Sequence, residues 1–121
     1  MAKDDYDLIV FKVLTYIYAV TKRKISFNKD VFDKTIGMQH IDEVYFYYVL
    51  YLMKTENLIA DVTVVKVWGN DYVLISDLSE MRITAEGIHY LKDNSFMKKA
   101  CDFILENTPA DLIVSLIRMI F

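Results

Sequence analysis

The stretch MRITAEGIHYLKD, residues 81–93, runs a strand pattern straight into a capped helix with no linker between them. Arg82, Ile83 and Thr84 read as the end of a strand. Thr84 is a good N-cap, and Glu86 supplies an acidic group to the first helical turn. A helix joined this abruptly to a strand has to fold back on the core that the strand borders. Ile83, Ile88 and Leu91 are the apolar residues placed to pack it there.

The segment before this junction, LIADVTVVKVWGNDYVLISDLSE, is dominated by β-branched residues, and WGND supplies a turn between two strands. Three helical patterns precede it. The first spans Asp5 to Thr21, with Asp4, Asp5 and Asp7 near its start and Lys22, Arg23 and Lys24 at its end, both favourable to the dipole. Tyr6, Val10, Val13, Ile17 and Val20 recur at helical spacing and are expected to face the core. ISF, residues 25–27, is expected as a short strand. Asn28 caps KDVFDKTI and Gly37 stops it, with Val31, Phe32 and Ile36 buried. The third helix is expected from His40 to Asn57, where asparagine takes the left-handed position that ends it. After the junction, Asn94 and Ser95 separate the fourth helix from a fifth, FMKKACDFILEN. TPAD opens a sixth, with Thr108 as cap and Pro109 in the first helical position.

Three helices followed by a hairpin is the winged-helix order, with the hairpin as the wing. The expected fold class is therefore α+β, a winged helix whose wing is followed by C-terminal helices. Residues 1–107 are assigned to the winged-helix domain. Residues 108–121 are assigned to an apolar C-terminal helix. The length, 121 residues, suits one core, and an apolar share of 55% argues against disorder.

The inventory for chemistry is thin. His40 and His89 are the two histidines and Cys101 the one cysteine, with no metal-ligand spacing among them. Cys101 lies in the apolar pattern ACDFIL and reads as inert. Asp42–Glu43 and Asp4–Asp5 are adjacent pairs, which point in different directions on a helix. Three scattered glycines make no phosphate cradle. The expectation is a protein that is not an enzyme and takes no cofactor. The N-terminal stretch has no signal-peptide pattern, no apolar run reaches the ~20 residues of a membrane span, and a lone cysteine suits a reducing compartment. A cytoplasmic location follows as an expectation.

Several of these stretches together resemble the YjcQ-like family. They are FDKTIGM, YVLYLMKTENLI, the turn GN, and above all ITAEGIHYLKDNSFMKK, and the resemblance spans about Tyr6 to Leu105. It implies a small winged-helix protein of Gram-positive bacteria or their phages. It implies no activity and supplies no catalytic residues to carry over. The third helix, rich in tyrosine, and the apolar tail after Asn107 depart from the family pattern.

Function then has to be read from surfaces. On the third helix His40, Glu43, Tyr47, Tyr51 and Lys54 share one face, and Ile41, Tyr45, Tyr48, Val49 and Leu52 share the face expected inside. The outer face is a poor reader of DNA, because Asp42, Glu43 and Glu56 outweigh Lys54. The segment Leu58–Ile83 is acidic too, with Lys66 and Arg82 against Asp61, Asp71, Asp77 and Glu80. Phosphate contacts need cations. Those lie elsewhere, at Lys22, Arg23 and Lys24 and at Lys92, Lys98 and Lys99, where helix-end charge explains them as well as a displaced nucleic-acid face does. Tyr47 and Tyr51 suit either a protein interface or packing against the wing or the last helix.

ADLIVSLIRMIF leaves only Asp111, Ser115 and Arg118 as a polar stripe. Burial within the chain, pairing with a second copy and lying on a membrane compete there. Self-association through Leu116, Ile120 and Phe121 is the expectation, giving a homodimer. The functional expectation is a non-catalytic binding protein that meets a protein partner through Tyr47, Tyr51 and Lys54. The alternative is a DNA-binding regulator using Lys22, Arg23, Lys24, Lys98 and Lys99.

Overall fold

The structure is a computed structural model that describes residues 2–121. Its elements are α1 (Tyr6–Thr21), α2 (Lys29–Ile36), a 3₁₀ turn at Met38–His40, α3 (Glu43–Thr55), β1 (Ile59–Ala60), β2 (Val64–Lys66), β3 (Tyr72–Leu74), β4 (Arg82–Ile83), α4 (Ala85–Asp93), α5 (Ser95–Asn107) and α6 (Leu112–Ile120). The class is α+β, and three helices precede the β2–β3 hairpin.

The hub is α1. From Leu8 to Ala19 every residue but Lys12 is buried, including Phe11, Leu14, Tyr16 and Ile17. A surface helix hides one stripe and leaves the rest wet. This one has no wet side, and α2, α3, α4, α5, α6 and β4 all pack against it.

That demand corrects the expectation for the tail. α6 packs most extensively on α1, and Leu116 and Ile120 are buried there with Ile113, Val114 and Ile117. Leu116 and Ile120 thus belong to the chain's own core and are not displayed to a second copy. Phe121 remains 54% exposed, its ring stacked on Phe11 with centroids 6.4 Å apart. α6 is a wall of the same core as the rest of the chain, so it is not a separate appendage to residues 1–107.

The helix starts hold the expected caps in most places. Asn28 accepts from Val31 N, Thr84 from Gly87 N, and Asn94 from Phe96 N and Met97 N. Gly37 and Asn57 both take the left-handed conformation. α1 starts one residue later than expected because Asp5 is its cap, accepting from Asp7 N. α3 starts at Glu43 rather than His40, because the side chain that caps it is Asp42, which accepts from Tyr45 N. His40 stays in the 3₁₀ turn, off the helix face. α6 starts at Leu112, capped by Asp111. Thr108 is instead the C-cap of α5, its N–H donating to Ile104 O at 2.9 Å, three residues before the Asp111 cap.

Two further expectations change. ISF forms no strand. The chain there is held by Tyr16, whose hydroxyl accepts from Asn28 N at 3.0 Å and donates to Asn28 O at 3.3 Å. Phe27 packs on the rings of Tyr16 and Phe32. On α3 the buried residues are Phe46, Val49, Leu50 and Met53. Tyr45, Tyr48 and Leu52, expected inside, are only half-buried. The inner face is rotated from the expected one and meets α1 through the smoother aliphatic side.

The strands form two antiparallel pairs. β1 pairs with β4 in the register Ile59↔Ile83 and Ala60↔Arg82. β2 pairs with β3 as Val64↔Leu74, Val65↔Val73 and Lys66↔Tyr72. Gly69 and Asn70, both at positive φ, turn the second hairpin within WGND.

The strand-to-helix junction is as tight as its sequence. Thr84 N donates to Leu58 O, Thr84 Oγ1 donates to Asn57 O at 2.6 Å, and the same oxygen caps α4 at Gly87 N. Asn57 Nδ2 returns a bond to Glu86. Gly87 lies so close to the β1 backbone that a Cβ there would drive into the Leu58 carbonyl oxygen and sit 2.9 Å from Ile83 Cγ1. Gly87→Ala is expected to lower stability by about 1–3 kcal/mol, the usual penalty of overpacking. Denaturant unfolding measures it, and an unchanged midpoint would mean that α4 can slide off β1. Among the described residues, Thr15 Oγ1 is the one buried side-chain polar atom with no hydrogen-bond partner. Thr15→Val should therefore raise stability by about 1 kcal/mol; a loss would mean that the hydroxyl is bonded in solution.

Candidate functional site

The β2–β3 hairpin has two unlike faces. Its inner face, Val64, Tyr72 and Leu74, is half-buried and packs on α3. There Tyr72 meets Tyr48 at 4.8 Å and Tyr51 at 5.2 Å between centroids, and Tyr48 and Tyr51 stack at 6.4 Å. Three tyrosine rings therefore hold the hairpin to the helix.

The outer face is apolar and uncovered. Successive strand residues alternate sides, so Val65, Val67, Val73 and Ile75 project away from α3. Ile75 is 63% exposed, and Trp68 at the tip is 96% exposed. The ladder continues past the strands, with Val67 N donating to Asp71 O and Ile75 N to Thr63 O. Asp71 and Glu80 are exposed and make no ion pair with a described residue, Asp61 pairs with Arg82, and Asp77 lines the cleft on the α2 and α3 side. The surface is an apolar ribbon with Lys66 and Asp71 near its tip.

Reasoning from the sequence missed this ribbon, although its signal was present. A hairpin with one wet face alternates apolar and polar residues. TVVKVWGNDYVLI is apolar in both phases, which is the mark of a hairpin with two faces to cover.

Tyr47 and Tyr51 sit one turn apart but do different things. Tyr47 is half-buried, packs on Phe46 and donates its hydroxyl to Glu43 Oε1 at 3.0 Å. Burial first, then the bond to Glu43 and the nearby carboxylates, push its phenol above the usual tyrosine range. It borders a cleft of about 560 Å³ between α2, α3 and the end of β3, with Ile41, Leu74 and Leu78 on the other walls. Tyr51 is 39% exposed and packs on the hairpin. Lys54 is exposed on the same helix.

The basic residues expected from the sequence as a displaced nucleic-acid face lie on α4 and α5 and in the loop after α1. Lys22 caps α1, and Arg23 beside it is left-handed. The structure brings Lys22 together with Lys92 of α4, their ammonium groups 5.2 Å and 5.5 Å from the Tyr18 ring centre. Lys24 is exposed. Lys98 and Lys99 are exposed on α5, with Lys99 over Phe96. Among the described residues no three of His, Cys, Asp and Glu lie close enough to hold a metal ion. Cys101 is half-buried, and burial, helped by Asp102, pushes its thiol up, away from the reactive thiolate. No helix of the described residues is long and apolar enough to cross a membrane.

The model of one protein family, described as YjcQ protein, matches residues 11–107, from the second turn of α1 to the end of α5. The chain belongs to the YjcQ family. No protein of curated function and no solved structure matches it.

The tyrosine clamp can be tested by itself. In a double-mutant cycle of Tyr51→Ala and Tyr72→Ala, the double variant should lose about 0.5–1.5 kcal/mol less than the sum of the two single losses. A coupling of zero would mean that Tyr51 does not anchor the hairpin.

Proposed function

We propose that this member of the YjcQ family is a non-catalytic binding protein of winged-helix type that acts through protein–protein contacts, with the β2–β3 hairpin as its wing. The observation that carries this reading is Trp68, 96% exposed at the tip of an apolar, uncovered strand face. Tryptophan is the residue most enriched among those that dominate interface energies. Monomeric proteins seldom leave contiguous apolar residues on display. The partner that fits is a protein with an apolar groove that takes Trp68 and the ribbon behind it. Tyr51 packs on the opposite, inner face of the hairpin through Tyr72 and so holds the ribbon in place.

DNA binding is the second reading, supported by the order of elements. Its difficulty is sign. The third helix and the hairpin are where a winged helix meets phosphate, and here the helix with its flanking residues sets Asp42, Glu43 and Glu56 against Lys54 while the hairpin has no basic excess, Lys66 being matched by Asp71.

Paired substitution Trp68→Ser and Val73→Ser should leave the melting temperature nearly unchanged, since both side chains lie on the uncovered face, while abolishing retention of protein partners on the immobilised chain. Retention equal to wild type would overturn the hairpin as the contact surface. Titration of arbitrary duplex DNA at low salt should show no binding. Binding that collapses as salt rises would replace the protein-binding reading with the regulator.

A further inference from the structure

A second cleft lies on another part of the molecule, at the junction of α1, the end of α2, the end of α5 and the loop that leads into α6. Its volume is about 480 Å³, within the range of small-molecule sites. Lys3, Lys12, Lys34 and His40 all line it, and the sole carboxylate on its walls is Asp111. Asp111 is engaged as the cap of α6, accepting from Leu112 N at 2.6 Å.

Lys12 is the unusual member. It is the one residue of the span Leu8–Ala19 that is not buried, and it stands between Phe11 and Val13, which are. None of the three lysines makes an ion pair with a described residue. Burial holds the Lys12 ammonium below the usual lysine range, Lys3 adds to that, and Asp111 opposes it without reaching ion-pair distance. An ammonium taken partly out of water beside a carboxylate that does not reach ion-pair distance is stabilised when a further anion joins it. His40 adds a polar edge, its Nε2 lying 3.4 Å from Lys3 Nζ and 3.2 Å from Gln39 Nε2. The rest of the lining is mixed: Leu8, Phe103, Ile104 and Ile113 supply apolar surface, and Thr35, Asn107 and Thr108 supply polar groups.

We propose that this cleft binds a small amphipathic organic anion, with its carboxylate or phosphate head paired by Lys12 and Lys34 and its aliphatic body laid against Phe103 and Ile104. The site is independent of the hairpin surface, so the failure of either leaves the other standing. The head can be a carboxylate or a phosphate ester, and the lysines serve both. The aliphatic body is what separates such a ligand from free inorganic phosphate.

The test is isothermal titration of the full chain with octanoate, octyl phosphate and inorganic phosphate. One or both octyl anions should bind at one site per chain, and inorganic phosphate about tenfold or more weaker, because it has no body to bury. Lys12→Met should weaken octyl binding by about tenfold or more, the loss of one charge-assisted hydrogen bond, while the unliganded variant melts no lower than wild type. Lys34→Ala, at an exposed position that carries no fold risk, should weaken it in the same direction. Amide signals of Gly37, Gln39, Asn107 and Thr108 should move on binding, and those of the hairpin should not. No binding of either octyl anion at millimolar concentration, inorganic phosphate bound as tightly as they are, or full affinity in both variants overturns the proposal.

Discussion

A helix with no solvent-facing side dictates most of this structure. Burying a single Val, Leu, Ile or Phe side chain contributes about 1.5–3 kcal/mol, and α1 buries such residues on every side of its axis. One small sheet and two helices cannot surround it. The chain therefore carries helices on both sides of the hairpin and brings them all to α1. The apolar character of α6 has the same origin. Considered alone, that helix has too much apolar surface for a free end. Considered with α1, it is the missing wall, and Phe121 continues it by stacking on Phe11.

The junction at Thr84 solves the problem of attaching the second half of the chain to the first. One threonine hydroxyl both caps α4 and ties it to Asn57. The left-handed Asn57 then delivers Leu58 to a carbonyl position that only a glycine at 87 can approach. Helix end, strand and helix start are thereby fixed within one cluster of bonds. The hairpin that loops out between β1 and β4 hangs from this rigid base. It is further clamped by Tyr48, Tyr51 and Tyr72, which leaves its outer face and Trp68 as the part with no internal task.

Local signals in the sequence were legible wherever a single side chain decides the outcome. Asn28, Thr84 and Asn94 cap helices, Gly37 and Asn57 end them, and WGND turns the hairpin. Errors arose where two local signals competed or where a tertiary partner decided. Thr108 and Pro109 look like a helix start, but Asp111 is the side chain that caps α6, and Thr108 ends α5. ISF looks like a strand, but β1 takes β4 as its partner and Tyr16 satisfies the backbone at Asn28 instead. The face of α3 was misphased because EVYFYYVLYLM is apolar or aromatic at nearly every angle. Its rotation is set by what fits against α1, which periodicity cannot supply. Self-association through Leu116 and Ile120 was preferred to burial within the chain because one small domain rarely covers a helix so apolar, and α1, itself buried on nearly every side, supplies that cover.

The candidate surfaces follow from the same core by exclusion. Once α1 has drawn the aliphatic faces of five helices inward, an apolar group left outside is one that the fold did not need, and a cation left near the axis is one that the fold does not benefit from. Trp68 is the first kind. It supports no neighbour, lies at the end of a ribbon apolar in both phases, and adds nothing to stability by being exposed. Lys12 is the second kind. An alanine or leucine at that position would extend α1's buried run without interruption, whereas the ammonium opens a polar gap beside Leu8 and Ile113. The hairpin presents an apolar ribbon, and the cleft presents three lysines beside Phe103 and Ile104. The two proposed ligands differ in chemistry for that reason.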